Sequence, residues 1–341
     1  MNLPRLRYDP LPALLQSGDD AVSFFARRDL LHEAVTSPEH LWALPIVKRL
    51  LRTQRPDGSW APRGKTGAPA SGATHPLAAT YRQLRHLVQQ YEMDRSHPAV
   101  ARAAEYVFSC QSQEGDLRGL LGNQYAPYYT GAILSLLIQA GYGEDVRVER
   151  ALRWLLAVRQ DDGGWAPGSP CVLGWRDLSW REWCAIISDP SAEPLRVFDG
   201  SRPFSAHATG MALRAFAAHP TYRSSREARQ AARLLQSKLL LEDNWSSYRH
   251  PDHWVRFQFP FWWTNLVTAL DTISLLAVAS DDDGGQRAVD WLVEHQLESG
   301  LWDVSYSSIH RAPVRNDNTH RQQCWITLAI CRVLQRLDAY T

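Results

Sequence analysis

Apolar residues recur along this chain at the three-to-four-residue spacing of helices, in two kinds of segment that alternate. Leu41–Thr53, Pro98–Gln111, Val146–Gln160, Ser225–Leu240 and Gln286–Gln296 carry Arg and Glu on one side and apolar residues on the other. Each predicts an amphipathic helix with one buried face. Between them lie Pro76–Gln90, Pro127–Gly141, Ser205–His219, Trp262–Ala279 and Thr319–Leu337, whose few charges predict helices buried on most sides. Pro12–Gln16 and Asp20–Val35 supply a further, imperfect pair. No stretch alternates apolar and polar residues for long enough to predict a strand.

The ends of the amphipathic segments repeat. Four copies read Gln54-Arg-Pro-Asp-Gly58-Ser-Trp60, Gln111-Ser-Gln-Glu-Gly115-Asp-Leu117, Gln160-Asp-Asp-Gly163-Gly-Trp165 and Gln296-Leu-Glu-Ser-Gly300-Leu-Trp302, and Leu241-Glu-Asp-Asn244-Trp245 is a degraded fifth. Units that repeat every fifty residues or so bury their apolar faces on one another. The Gly past the last turn can take the left-handed conformation that closes a helix. The connections are lopsided. From a charge-poor segment to the next amphipathic one they are short, as at 91–97 and 141–145. In the other direction they run to about 20 residues at 55–74, 241–261 and 298–318, and about 45 at 161–204. Loops of that length usually carry function, and all of them precede the charge-poor helices. The expected fold is all-α: an (α/α) toroid of five to six helical hairpins, with apolar inner and amphipathic outer helices. Residues 1–341 are expected to form one domain, with 1–36 completing the ring and 161–204 as the long functional loop. A linear solenoid would show a polar concave face on its inner helices, which these segments lack.

Composition narrows the function. The 341 residues, 45% of them hydrophobic, support a large core. A net charge of +1 gives no global field to attract nucleic acid or an anionic membrane. No stretch approaches the roughly 20 apolar residues of a membrane span. The first residues hold no apolar run followed by small ones, and cysteines at 110, 171, 184, 324 and 331 fit no disulfide framework, so a cytoplasmic location is expected. Fourteen Trp beside three Met imply a core or a cavity rich in rings.

Tyr128-Tyr-Thr-Gly131-Ala-Ile-Leu-Ser-Leu-Leu, then Ala140-Gly-Tyr-Gly-Glu-Asp145, then Trp154-Leu-Leu and Gln160-Asp-Asp-Gly-Gly-Trp165 form the most specific stretch. With the other repeats it resembles the QW repeats of squalene and oxidosqualene cyclases and the Asp-Gly-Trp turns of protein prenyltransferase β-subunits. The chain looks like the bacterial squalene-cyclase-like or prenyltransferase-like proteins of that superfamily over roughly residues 40–337. The resemblance implies the α/α toroid and an isoprenoid substrate. It does not bring the usual chemistry. Cyclases of the second class protonate an alkene with an Asp-X-Asp-Asp motif, which is absent. Asp281-Asp-Asp283 lies in a Gly-rich turn after an inner helix, Asp161-Asp162 belongs to a repeat turn, and Asp317 is followed by Asn318. The Asp, Cys and His zinc ligands of the transferases are also unmatched. A different set is His320 and Cys324, four apart on one helix face, with Cys171, Cys184 or His207. The plainer reading makes these cysteines small buried hydrophobes and His320 a partner of a loop carbonyl. No metal site is favoured and no recognised motif requires a cofactor, although zinc or magnesium is compatible with the donors present.

Three constellations remain. Aromatic residues gather before the inner helices: Trp175, Trp180 and Trp183 in the long loop, Phe257, Phe259, Phe261, Trp262 and Trp263 before the fourth, and Tyr125, Tyr128 and Tyr129 before the second. They line an apolar cavity whose π-faces stabilise carbocations, or they form the core of the loops. Arg249, His250, His253 and Arg256, with Arg315, His320 and Arg321, form a diphosphate cradle or an ordinary ion-paired surface. His75, Thr130, His207, Thr209, Asn265 and His320 are polar positions at the starts of apolar helices, facing either a wet site or a hydrogen-bond partner. Asp271, in mid-helix, is either a proton donor or tied to an Arg or a helix-terminus amide between helices. The candidate catalytic residues are thus Asp271, His207 and His320, with Asp177 a further acid. The candidate substrate contacts are His75, Tyr128, Tyr129, Trp175, Trp180, Trp183, Phe261, Trp262, Trp263, Asn265 and Arg256.

The leading expectation is a terpene-cyclase-like or prenyltransferase-like enzyme taking a small apolar or diphosphate substrate. The alternatives are a toroid polysaccharide lyase or hydrolase using a Tyr/His pair such as Tyr129 with His207 or His250, and a non-catalytic ligand-binding or partner-binding toroid. Protein prenyltransferase β-subunits work with a helical partner, so a partner subunit or a homo-oligomer is compatible with the resemblance.

Overall fold

The computed structural model describes residues 6–61, 76–118, 120, 126–167, 199–245, 249–278, 283–309 and 316–339. Among them the chain is all-α. The helices are α1 (Leu11–Leu15), α2 (Asp20–Phe25), α3 (Pro45–Leu51), α4 (Pro76–Arg85), α5 (Pro98–Ser109), α6 (Pro127–Leu137), α7 (Val146–Ala157), α8 (Ala206–Ala218), α9 (Arg226–Ser237), α10 (Leu266–Leu275), α11 (Asp283–Glu294) and α12 (Asp317–Asp338). The described β-bridges are isolated ones, Gln54 with Trp60, Gln111 with Leu117 and Arg256 with Ser305. No helix among these residues is long and apolar enough to cross a membrane.

The alternation of segments is the alternation of helices. α3, α5, α7, α9 and α11 bury one stripe, whereas α6 and α8 are buried nearly all round. Helix starts follow local chemistry. Asp19, Asp145, Ser205, Ser225, Asn265 and Asn316 accept first-turn amide hydrogens, and Pro45, Pro98 and Pro127 sit where no amide is needed. Several ends widen into π turns, at Ala26–Leu30, His86–Gln90 and Ile138–Tyr142, so the α-helical parts stop short of the sequence segments. The segment expected to begin at Leu41 is 3₁₀ over Pro38–Ala43 and becomes α-helical at Pro45. The one expected at Trp262 begins at Leu266, because Asn265 caps it and Pro260 interrupts the approach. Asp283, read as part of a turn, opens α11.

The chain gathers into two compact units, residues 1–37 with 223–341, and residues 38–222. In the second unit α6 and α8 pack closest: a Cβ on Gly131 would lie 2.4 Å from the Ala212 Cα. In the first unit α12 is the long inner helix, and its arginines are tied by carboxylates. Arg321 pairs with Asp19 at 2.6 Å, Arg332 with Asp29, and Arg336 with Asp271.

The repeats prove to be hydrogen-bonded closures. The side-chain amides of Gln54, Gln111 and Gln296 donate to the carbonyls of Gly58, Gly115 and Gly300 at 2.9–3.0 Å. The same amides reach the carbonyls of Ala99, Arg147 and Tyr8 at 2.8 Å, at the start of the next element. The indoles of Trp60, Trp165 and Trp302 donate to carbonyls ten residues back, those of Leu50, Leu155 and Leu292. The backbone amides of Trp60, Leu117, Trp165 and Trp302 donate to the hydroxyls of Thr80, Thr130, Thr209 and Thr327 on the inner helices, at 2.9–3.1 Å. Gly300, at φ 81°, leaves no room for a side chain, since a Cβ there would lie 2.5 Å from the Asp9 carbonyl oxygen. In the degraded copy the indole that reaches back is Trp254, bonded to the Leu241 carbonyl at 2.8 Å.

Candidate functional site

Aromatic side chains collect where the inner helices begin. In the first unit the chain from Trp254 to Asn265 leads into α10. The Phe259 amide donates to Gln322 Oε1 at 3.0 Å, and its ring stacks on Trp325 of α12 with centroids 5.0 Å apart and planes 6° apart. Phe261 meets Phe259 edge-on at 5.0 Å, and Trp262 and Trp263 lie 5.8 Å apart, both half-buried. Phe25 continues the array at 6.0 Å from Trp325, with the guanidiniums of Arg28 and Arg332 at 4.8 and 5.1 Å from its ring centre. Burial works against the charge of Asp29, but Arg332 and Arg28 beside it hold its carboxyl below the usual range. The rings Phe25, Phe259, Phe261 and Trp325 are buried, and with the neighbouring cations they form one connected array inside this unit.

In the second unit Tyr128 and Tyr129 occupy the first turn of α6 with rings 4.4 Å apart, Tyr129 buried and Tyr128 half-buried. His207 is buried in the first turn of α8, beside the cap made by Ser205. Sequence reading passed over three residues of this interior. Tyr81 and Arg85 on α4 and Arg214 on α8 are all buried, with the Arg85 guanidinium 5.4 Å from the Tyr81 ring centre. Desolvation lowers Arg85 to about 10, with Arg214 contributing in the same direction, and it stays charged at neutral pH. The available signal was the Arg inside the apolar run Met211-Ala-Leu-Arg214-Ala-Phe216, whereas Arg85 stands among Arg82, Gln83 and His86 and carried none.

Several candidates have structural work instead. Thr130 and Thr209 accept the repeat amides described above. Asn265, expected to contact substrate, is 2% exposed and spent on a capping box: its Oδ1 accepts from the Thr268 amide at 3.0 Å, while Thr268 Oγ1 accepts from its own amide at 2.9 Å. Asp271 is half-buried against Arg336, which also donates to Ser274 Oγ at 3.0 Å. Of its two readings this is the ion pair. Within the basic run Arg249 pairs with Glu242, Arg321 with Asp19, and His250 Nδ1 accepts the Asp252 amide at 3.1 Å. Arg256 is exposed, with its backbone bridged to Ser305.

His320 is exposed, with Nε2 3.7 Å from Sγ of the buried Cys324. Burial, aided by Asp19, pushes the Cys324 thiol up to about 11, so it is protonated at neutral pH. Among the described residues no three His, Cys, Asp or Glu side chains are grouped to hold a metal ion. His75, Tyr125, Cys171, Trp175, Asp177, Trp180, Trp183, Cys184 and Arg315 lie outside the described residues.

Residues 73–183 match the family model of the squalene-hopene cyclase C-terminal domain. No curated protein matches the chain. Among solved structures it is similar to a variant of the type II terpene cyclase MstE from Scytonema, solved with geranylgeranyl dihydroxybenzoate. The identity is 14%, over 86% of this chain and 96% of that one, with a TM-score of 0.37. It is also similar to ent-copalyl diphosphate synthase from Streptomyces platensis, at 17% identity over 78% of this chain and 44% of that one, TM-score 0.36. A protein from Actinoplanes shares 15% identity over 86% and 97%, TM-score 0.31. Over residues 73–183, which contain the Tyr128–Trp165 stretch, the chain is thus similar to the squalene-hopene cyclase C-terminal domain.

Proposed function

We propose that this terpene-cyclase-like protein is an enzyme that binds an isoprenoid, or another apolar substrate of similar shape, against the aromatic residues at the starts of its inner helices. The observation that carries the reading is the array Phe261, Phe259, Trp325 and Phe25, built on two helices and a loop and bordered by Arg28 and Arg332. Flat rings bind an isoprenoid chain by contact area, and their faces stabilise positive charge developing along it. Tyr128, Tyr129, Trp262 and Trp263 extend the same chemistry within their own units.

The acid of this reading is not an Asp-X-Asp-Asp carboxylate. Asp271 is engaged by Arg336, so within the first unit the acid–base role falls to His320, exposed at the start of α12. No metal is assigned. Incubation with farnesyl and geranylgeranyl diphosphates, followed by extraction and mass analysis, tests the reading. The expected product has the mass of its substrate, since cyclisation by protonation is an isomerisation. His320→Asn is expected to lower its formation on the order of a hundredfold, the weight of one acid–base group. Unchanged substrate together with cleavage of oligosaccharides would replace this reading by the lyase or hydrolase one.

A further inference from the structure

The loops entering α10 and α12 in the first unit are clasped together. Arg256 and Ser305 form an antiparallel bridge, the Phe257 amide donates to the Val304 carbonyl at 2.8 Å, and the Tyr306 amide to the Val255 carbonyl at 3.0 Å. Beyond the bridge one oxygen of Asp252 accepts from the hydroxyls of Ser307 at 3.1 Å and Ser308 at 2.8 Å, and from the amides of Ser308 at 2.5 Å and Ile309 at 3.1 Å. These donors, the Ser308 hydroxyl foremost, hold the Asp252 carboxyl down at about 2, so the latch is charged throughout the physiological range.

The two halves of the clasp differ in strength. Around the bridge, Trp254, Val255 and Phe257 are buried, and Phe257 packs edge-on to Tyr306 and Trp291 at 6.0 and 6.1 Å. At the Asp252 end, His250, Ser308 and Ile309 are exposed, and a single carboxylate gathers every one of those four bonds. Local opening begins where buried apolar contact is least, and here one broken group releases the whole end. The strand that would loosen is the one that carries Phe257, Phe259 and Phe261 toward Trp325.

We propose that residues 249–257 and 304–309 form a strap whose opening at Asp252 admits an apolar ligand to the rings of Phe259, Phe261 and Trp325. The nature of the natural ligand rests on the isoprenoid reading above; the strap itself does not. Asp252 is a positioning residue, and it acts on entry and exit rather than on chemistry.

The test compares the full chain with Asp252→Asn, which removes the charge, and Ser308→Ala, which removes one hydroxyl donor. Amide hydrogen exchange is read over 249–257 and 304–309, with α6 as internal reference. Stopped-flow binding is read for two probes, 8-anilinonaphthalene-1-sulfonate and geranylgeranyl diphosphate. Asp252→Asn is expected to speed exchange in both segments, leave α6 unchanged, and raise association and dissociation rates together by on the order of tenfold. Ser308→Ala is expected to do the same to a smaller degree. Faster exchange with unchanged probe kinetics would reduce the clasp to a structural tie and overturn the strap, as would unchanged exchange or a wild-type protein that binds neither probe. Altered kinetics for the naphthalene probe, with no binding of the diphosphate, would leave the strap standing and remove the isoprenoid reading.

Discussion

Thr209 hydroxyl accepts the Trp165 amide at 2.9 Å inside the core, where water cannot replace it. Thr209→Val keeps the shape and leaves that amide without a partner, which costs about 1–3 kcal/mol. The expected result in urea unfolding is a lower midpoint with an unchanged slope. A variant of native stability would contradict this structural role for Thr209. His97 supplies a titrating version of the same kind of tie. Its Nδ1 accepts the Ala99 amide at 3.2 Å as the cap of α5, and burial, with Arg102 nearby, lowers its pKa. A lowered folded-state pKa means the unfolded chain takes up the proton first. The cap's contribution is full above the unfolded value of about 6.5 and is lost as pH falls below it. His97→Asn, which caps without titrating, should flatten the stability profile between neutral and mildly acidic pH; thermal unfolding across that range checks it. At this scale the sequence is a partial guide. A polar residue at the start of an apolar helix shows that a partner exists, but Thr130, Thr209 and Asn265 found theirs in the backbone, and nothing in the linear order distinguishes such a partner from a ligand.

Helix pairing rests on small residues at contact points. Gly131 lets α6 lie against Ala212 of α8, and its replacement by Ala places a methyl 2.4 Å from a backbone carbon. Gly131→Ala is expected to cost at least about 1–3 kcal/mol, the range for overpacked cores, and differential scanning calorimetry would show it as a lowered midpoint. The helices themselves were largely readable, because the 3.6-residue period and the Pro and Asp or Ser caps are local signals. What periodicity hid was how they end. The π turns after α2, α4 and α6 keep apolar residues in helical register while changing the hydrogen bonding, so the sequence segments run on past the α-helices. Trp262 and Trp263 read as helix for a similar reason. Apolar content extends the pattern backward, and only the Asn265 cap marks the true start. Trp254 was invisible as a repeat residue because it comes after an insertion in the degraded copy.

Taken whole, the chain joins its two ends in one unit. Gln296 bonds the Tyr8 carbonyl as Gln54 bonds that of Ala99 and Gln111 that of Arg147, so the N-terminal segment takes the place of a following repeat. Asp19 and Asp29 then tie α12 through Arg321 and Arg332. Removal of residues 1–37 would leave those arginines and the Phe25 side of Trp325 uncovered, and the truncated chain is expected to be insoluble or to unfold well below the full chain; circular dichroism melting of any soluble fraction checks this. The repeat legible in the sequence therefore organises each unit, and the proposed function rests instead on the rings and cations. The most direct test of that claim is a titration of the full protein with geranylgeranyl diphosphate, followed by tryptophan emission, with Trp325→Ala in parallel. The account predicts a saturable change in the wild type and binding weakened by on the order of tenfold or more in the variant, as expected for a central aromatic contact. No saturable change in the wild type, or equal affinity in a folded variant, would contradict it.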